Sequence, residues 1–174
     1  MFKKTFAVAA TVALFSTSAL ANSNNVYVDQ IGTDNEIYFN QDGNGNNANV
    51  DQSGAENDVI FTQDGNANNI NIEQSGSFNR VDGEQVGNKN NIDVDQSGTN
   101  NLSWNGQTGN RNNLLVDQDG SDNATKTWQN GNAGNIAVDQ SGSEGHIRVT
   151  QNGNNDNAAI NQSGSGLITV VTQN

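Results

Sequence analysis

The sequence predicts an all-β fold: a two-sheet β-solenoid of seven 22-residue coils, two strands per coil, with cross-β stacking. Three observations predict it. Glutamine recurs every eleven residues from Gln30 to Gln173, fourteen times without insertion or deletion. Glycine stands two residues after every one of them until the chain ends. Between successive glutamines, an asparagine at +5 and apolar residues at +7 and +9 share parity with the glutamine at +11, so all four lie on one face of a strand. A fixed period through so many copies marks a repeat architecture. It outweighs the composition, which is 32% hydrophobic and rich in Asn, Gln, Gly and Asp, and which alone reads as disordered.

Residues 1–21 read as a secretory signal peptide. Lys3 and Lys4 make a basic start, Phe6 to Phe15 is an apolar run, and Ala19-Leu20-Ala21 is a small-residue cleavage site. The run is too short for a membrane helix, and no membrane insertion is expected. Cleavage after Ala21 leaves 5 basic against 19 acidic residues, moving the net charge from -12 to -14. So acidic a surface argues against a nucleic-acid partner. There is no Cys to form a disulfide, and no Pro to remove a ladder N–H.

Residues 22–174 form the repeat solenoid, with coils of roughly 24–45, 46–67, 68–89, 90–111, 112–133, 134–155 and 156–174. Each 11-residue half is predicted as a strand of about seven residues and a four-residue arc carrying the glycine. The first strand of each coil carries an inward pair: Val26/Val28, Ala48/Val50, Ile70/Ile72, Ile92/Val94, Leu114/Val116, Ile136/Val138 and Ala158/Ile160. The second carries Ile37/Phe39, Val59/Phe61, Val81/Gly83, Ser103/Asn105, Thr125/Thr127, Ile147/Val149 and Thr169/Val171. Its middle is weak, and the strand around Trp104 is expected to run locally out of phase, making that coil the weakest.

Stacking in register lays like residues over like. The stacking ladder comprises Gln30, Gln41, Gln52, Gln63, Gln74, Gln85, Gln96, Gln107, Gln118, Gln129, Gln140, Gln151, Gln162 and Gln173. Beside them stand Asn24, Asn35, Asn46, Asn57, Asn68, Asn79, Asn90, Asn101, Asn112 and Asn123. A lone buried amide is costly, but in a column each can bond the one above and below. A one-residue slip would turn every inward side chain outward. The turn glycines are Gly32, Gly43, Gly54, Gly65, Gly76, Gly87, Gly98, Gly109, Gly120, Gly131, Gly142, Gly153 and Gly164. They are expected to supply a positive φ or to avoid a Cβ clash.

Two outward columns stand out. Position +6 of the first strand is Asn in all seven coils, from Asn25 to Asn157, a surface amide ladder. Position +10 holds the gatekeeper acids Asp29, Asp51, Glu73, Asp95, Asp117 and Asp139, with Asn161 last. Adjacent carboxylates at coil spacing repel by about 1 kcal/mol in water. The column is expected to slow assembly without preventing it, so that low pH or divalent cations speed it. The aromatics Tyr27, Tyr38, Trp104 and Trp128 are expected to form no column.

The half-repeat Asn-x5-Gln-x-Gly-x-x-Asn-x-[apolar]-x3-Gln, as in Asn46 to Gln63, resembles the curlin repeat, and the resemblance covers nearly all of residues 24–174. Curlins are subunits of curli, the extracellular functional amyloid fibres of bacterial biofilms. The resemblance implies a secreted subunit that adds to a fibre end. It also implies a homopolymer, a nucleator subunit as partner, and export through an outer-membrane curli pore. The chain departs from the family in its larger number of coils and in carrying Asn where Ser is usual. The Gly-rich secretion sector between signal and repeats is missing, and only Asn22-Ser23 remain. The long uninterrupted array favours the major subunit over a minor nucleator.

No catalytic residue, cofactor or metal site is expected. His146 is the only His, and the carboxylates lie in surface columns. The rival readings are a soluble monomeric β-solenoid binding module and a disordered matrix polymer. The module would bind ice, sugar or calcium; an ice-binding face would need a repeated outward Thr column, and the outward series Tyr27, Tyr38, Asn49, Ile60 is no such column. The polymer would not keep the period.

Overall fold

The computed structural model describes residues 10–15 and 23–174. It is all-β, a parallel solenoid of about seven turns of 22 residues. After β1 (Ala10–Phe15) come β2 (Asn25–Thr33), β3 (Asn35–Asn44), β4 (Asn47–Ala55), β5 (Asp58–Asn66), β6 (Asn69–Ser77), β7 (Arg80–Asn88) and β8 (Asn91–Thr99). They are followed by β9 (Leu102–Asn110), β10 (Asn113–Ser121), β11 (Ala124–Asn132), β12 (Asn135–Ser143), β13 (His146–Asn154), β14 (Asn157–Ser165) and β15 (Ile168–Gln173). Even strands β2 to β14 form one sheet and odd strands β1 to β15 the other. Each strand from β2 to β13 pairs in parallel with its counterpart in the next coil, Gln over Gln and, through β12, Gly over Gly.

β1 is a fifteenth strand that the sequence reading did not expect. It lies parallel to β3, from Ala10↔Asn35 to Phe15↔Asn40, and falls inside the apolar run of the expected signal. The basic start and the cleavage site at Ala19 to Ala21 lie outside the described residues.

The alternating pattern explains the core. Ile37, Phe39, Ala48, Val50, Ile70, Ile72, Ile92 and Val94 are all buried between the sheets, and the row continues to Ala158 and Ile160. Phe39 and Phe61 stack with ring centroids 6.0 Å apart. A Cβ on Gly83 would strike the Phe61 ring and the Asn105 carbonyl, so the missing side chain at Gly83 makes room for Phe61.

The expected phase slip around Trp104 does not occur. β9 keeps register with both neighbours, and Ser103 and Asn105 point inward, fully buried. Hydrogen bonding replaces the missing apolar pair. Asn105 Nδ2 donates to Ser103 Oγ at 2.9 Å, and Thr127 Oγ1 donates to Asn105 Oδ1 at 2.9 Å. Gln118 Nε2 donates to Thr125 Oγ1, which donates to Gln140 Oε1, tying the sheets together. A satisfied buried network holds the register as apolar packing does elsewhere.

The arcs are tighter than the sequence led one to expect. Pairing continues through Gln-x-Gly-x, as in Gly32↔Gly54 and Thr33↔Ala55, so two residues separate successive strands, and only Asp34 separates β2 from β3. The turn is completed by a residue in the left-handed region, usually not glycine: Asp34, Glu56, Phe78, Lys89, Arg111 and Glu144 all have φ between 55° and 59°. From the second coil on, that residue's N–H bonds the carbonyl of the arc beneath, as in Glu56 N to Thr33 O at 3.0 Å. The +2 glycines from Gly32 to Gly142 meet both expected requirements, a positive φ and a close backbone neighbour. Gly98 has φ +108°, and a Cβ there would overlap the Gly120 carbonyl oxygen of the next coil. At Gly153 a Cβ would meet only the side chain of Asp156, at 2.6 Å. Gly98→Ala is therefore expected to lower folding stability by roughly 3 kcal/mol or more, and Gly153→Ala by less than about 1 kcal/mol. Urea midpoints check this; equal shifts in the two variants would contradict it.

Candidate functional site: stacked amide and carboxylate columns

The glutamines form two continuous hydrogen-bonded columns. In the even sheet, Nε2 of Gln30, Gln52, Gln74, Gln96, Gln118 and Gln140 each donates to Oε1 of the next, at 2.6 to 2.9 Å. In the odd sheet the same chain runs from Gln41 through Gln63, Gln85, Gln107, Gln129 and Gln151 to Gln173, at 2.7 to 3.0 Å. Most rungs also donate to a backbone carbonyl of the facing strand, as Gln96 does to Arg80 O at 3.2 Å. Every rung points the same way, so each column has an acceptor end at the first coil and a donor end at the last.

The +5 asparagines behave differently from the amide-on-amide stack expected. Their Oδ1 accepts the backbone N–H of the residue one coil on, as Asn46 does from Asn68 N at 3.0 Å. Their Nδ2 donates to two arc carbonyls, as Asn68 does to Asp64 O at 3.1 Å and Gly87 O at 2.8 Å. The short side chain lies against the arc, where backbone groups are nearer than the neighbouring amide. Among the described residues, only Asn57 and Asn101 also donate to the asparagine beneath, at 3.2 Å. Where Gly134 and Gly145 replace asparagine, their N–H groups still bond Asn112 and Asn123, and a neighbouring Gln amide occupies the space.

The surface ladder from Asn25 to Asn135 is present, with rung bonds of 2.8 to 3.0 Å. A second exposed ladder, missed in the sequence, runs along the arcs from Asn44 to Asn154. The Gly-Asn pairs of those arcs were its signal.

The acids stack as register partners, Asp29↔Asp51, Asp51↔Glu73, Glu73↔Asp95, Asp95↔Asp117 and Asp117↔Asp139. Partial burial raises the pKa of Asp95 and of Asp117 above the ordinary carboxylate value, and neighbouring carboxylates push the same way. Among the described residues the ion pairs both involve Arg80, to Asp58 at 2.6 Å and Asp82 at 2.9 Å, on the odd sheet. Trp104 and Trp128 lie in different columns but stack diagonally at 5.3 Å between centroids; Gly106 leaves the space under Trp128. Among the described residues no group of three His, Asp or Glu side chains could hold a metal ion, and no helix is long and apolar enough to cross a membrane.

No curated protein matches the chain. The family model of the curlin-associated repeat matches residues 65–98 and again 87–120, two copies offset by one coil. Coil length, strand pairing and glutamine columns continue unchanged on both sides of those copies. Residues 65–120 are thus similar to the curlin-associated repeat, and that repeat and the solenoid fold together point to a structural protein.

Proposed function

We propose that the chain is the structural subunit of an extracellular curli-like functional amyloid fibre, serving biofilm matrix, adhesion and surface colonisation. It grows by end-to-end stacking of the solenoid. The observation that carries this reading is Gln30 Oε1, which is buried and has no hydrogen-bond partner among the described residues. Every later rung of that column accepts a bond from the glutamine one coil before it. At the other end Gln162 donates to Thr169 at 2.9 Å and to no glutamine among the described residues. Gln162 of one molecule can thus supply the donor that Gln30 of the next lacks. Joining the ends meets that acceptor and continues the column, a net gain of about 0.5–1.5 kcal/mol for the hydrogen bond formed.

The sheet edges support the same reading. Among the described residues β2 pairs on one side only, as do β14 and β15. Such edges are what soluble proteins block. Cleavage after Ala21 would remove β1 and free the edge of β3 as well. The column direction makes stacking head-to-tail, a contact that does not close and so builds a filament. The long array suits the major subunit; a nucleator subunit and an outer-membrane secretion pore are its proposed partners. The acidic column acts as a gatekeeper, slowing growth.

Purified residues 22–174 are expected to form fibres whose diffraction has the cross-β pattern: a meridional reflection at about 4.7–4.8 Å and a diffuse equatorial one at about 10 Å. A clear solution of folded β-rich monomers would instead support the soluble binding module. Gln30→Leu is expected to slow elongation on preformed fibres by about tenfold, the equivalent of roughly 1.4 kcal/mol; an unchanged rate in a seeded dye-binding assay would count against the joining of the ends. The acids give a pH dependence. Asp95 and Asp117 bind protons more readily when folded, so stability is greatest below the unfolded value of about 3.9 and falls as pH rises through the raised folded values. Growth is accordingly expected to be faster at pH 4 than at pH 8, faster with divalent cations, and less pH-sensitive in Asp95→Asn/Asp117→Asn. Identical kinetics for parent and variant at both pH values would contradict the gatekeeper role.

A further inference from the structure

The two outer faces of the solenoid carry opposite charge in the same coils. On the odd sheet, the later coils expose Lys126 and Arg148, which are register partners on β11 and β13. Exposed Leu102, Ile168 and Val170 flank them. Lys126 Nζ lies 4.5 Å from the ring centre of Trp104, which stacks on Trp128. Neither cation takes part in an ion pair among the described residues. On the even sheet, the acidic column runs beside an apolar strip in the same coils. Leu115, Ala137 and Ala159 are register partners there, next to Asp117 and Asp139.

We propose that these faces dock on one another between copies: the Lys126/Arg148 face of one chain against the Asp117/Asp139 face of a second. The charges are complementary, and each is left uncompensated within its own chain. Both faces rise by one strand per coil, so two neighbouring cations meet two neighbouring carboxylates whenever the copies are offset by whole coils. The apolar strips on either side exclude water, which strengthens the charge pairing. The earlier half of the odd face carries Glu36, Asp58, Asp82 and Glu84 against the single Arg80, and would repel the acidic column. On the odd face, docking is therefore confined to the later coils, and the stagger is limited to whole coils. The two faces lie on opposite sides of the chain, so the contact repeats sideways without closing. In the fibre reading, on which the repetition rests, it gathers filaments into ribbons.

The test compares fibres of this chain with those of Lys126→Glu/Arg148→Glu, by cryo-electron microscopy of their cross-sections. The control is Lys89→Glu/Arg111→Glu, which makes the same change in net charge on the arcs. Parent and control are expected to form ribbons at about 20 mM salt and single filaments at about 500 mM, where the Debye length falls to a few ångströms. The Lys126→Glu/Arg148→Glu variant is expected to form single filaments in both, with the cross-β spacing unchanged. Adding Asp117→Lys/Asp139→Lys to it restores ribbons. Ribbons in the face variant, or their equal loss in the control, overturn the proposal. So does bundling that needs an added anionic polymer and ignores the acidic column. If the chain forms no fibres at all, the fibre reading fails separately. Sedimentation at low salt then decides the docking: salt-sensitive pairs lost in the face variant support it, and monomers overturn it.

Discussion

The rest of the structure depends on one constraint: a buried amide must find its partner in the next coil. The interior between the sheets is narrow, and much of what it buries beside the apolar pairs is polar. Gln63, Gln85, Gln96, Gln107 and Gln118 are fully buried. Each would be a liability alone, since an orphaned buried amide costs more than a made hydrogen bond returns. Stacked in register, they become a continuous polar column. The consequence is rigidity of period: a coil shortened or lengthened by a single residue would break two columns at once and leave amides on both sides unpaired.

That constraint explains where strain is tolerated. Asp34, Glu56, Lys89 and Arg111 hold left-handed backbone conformations that ordinarily disfavour them. A two-residue break is what closes the coil without changing its length. The interlayer bonds from these N–H groups and the Asn Nδ2 bonds to arc carbonyls hold the arcs in place. The glycines are constrained from the other side. The arc of one coil lies so close over the next that a side chain on the stacked Gly98 or Gly120 would enter a backbone carbonyl.

Much of this was legible in the sequence, because the period is itself the structural rule. The coil length, the two strands, the inward pairs, the glutamine columns and the acidic column all follow from parity and spacing. What was not legible depends on local geometry. Asn46 and Asn68 give no sign that they bond arc backbone rather than one another. The left-handed site holds Asp, Glu, Phe, Lys, Arg, Ala, Asn or Gly, so composition does not mark it. Ser103 and Asn105 looked like a failed inward pair because pattern reading scores apolarity; Thr127 on the next coil completes their network. Trp104 and Trp128 occupy different columns, and only the strand spacing shows that they stack diagonally.

The central claim is that the glutamine column continues from one molecule into the next. Solid-state NMR of fibres grown from a mixture tests it directly, with chains labelled at the Gln162 side-chain nitrogen and others labelled at the Gln30 side-chain carbonyl. The account predicts magnetisation transfer between the two labels across molecules, at a strength matching that between Gln74 and Gln96 within one chain. Transfer between Gln30 and Gln30, or none at either end of the column, would contradict it.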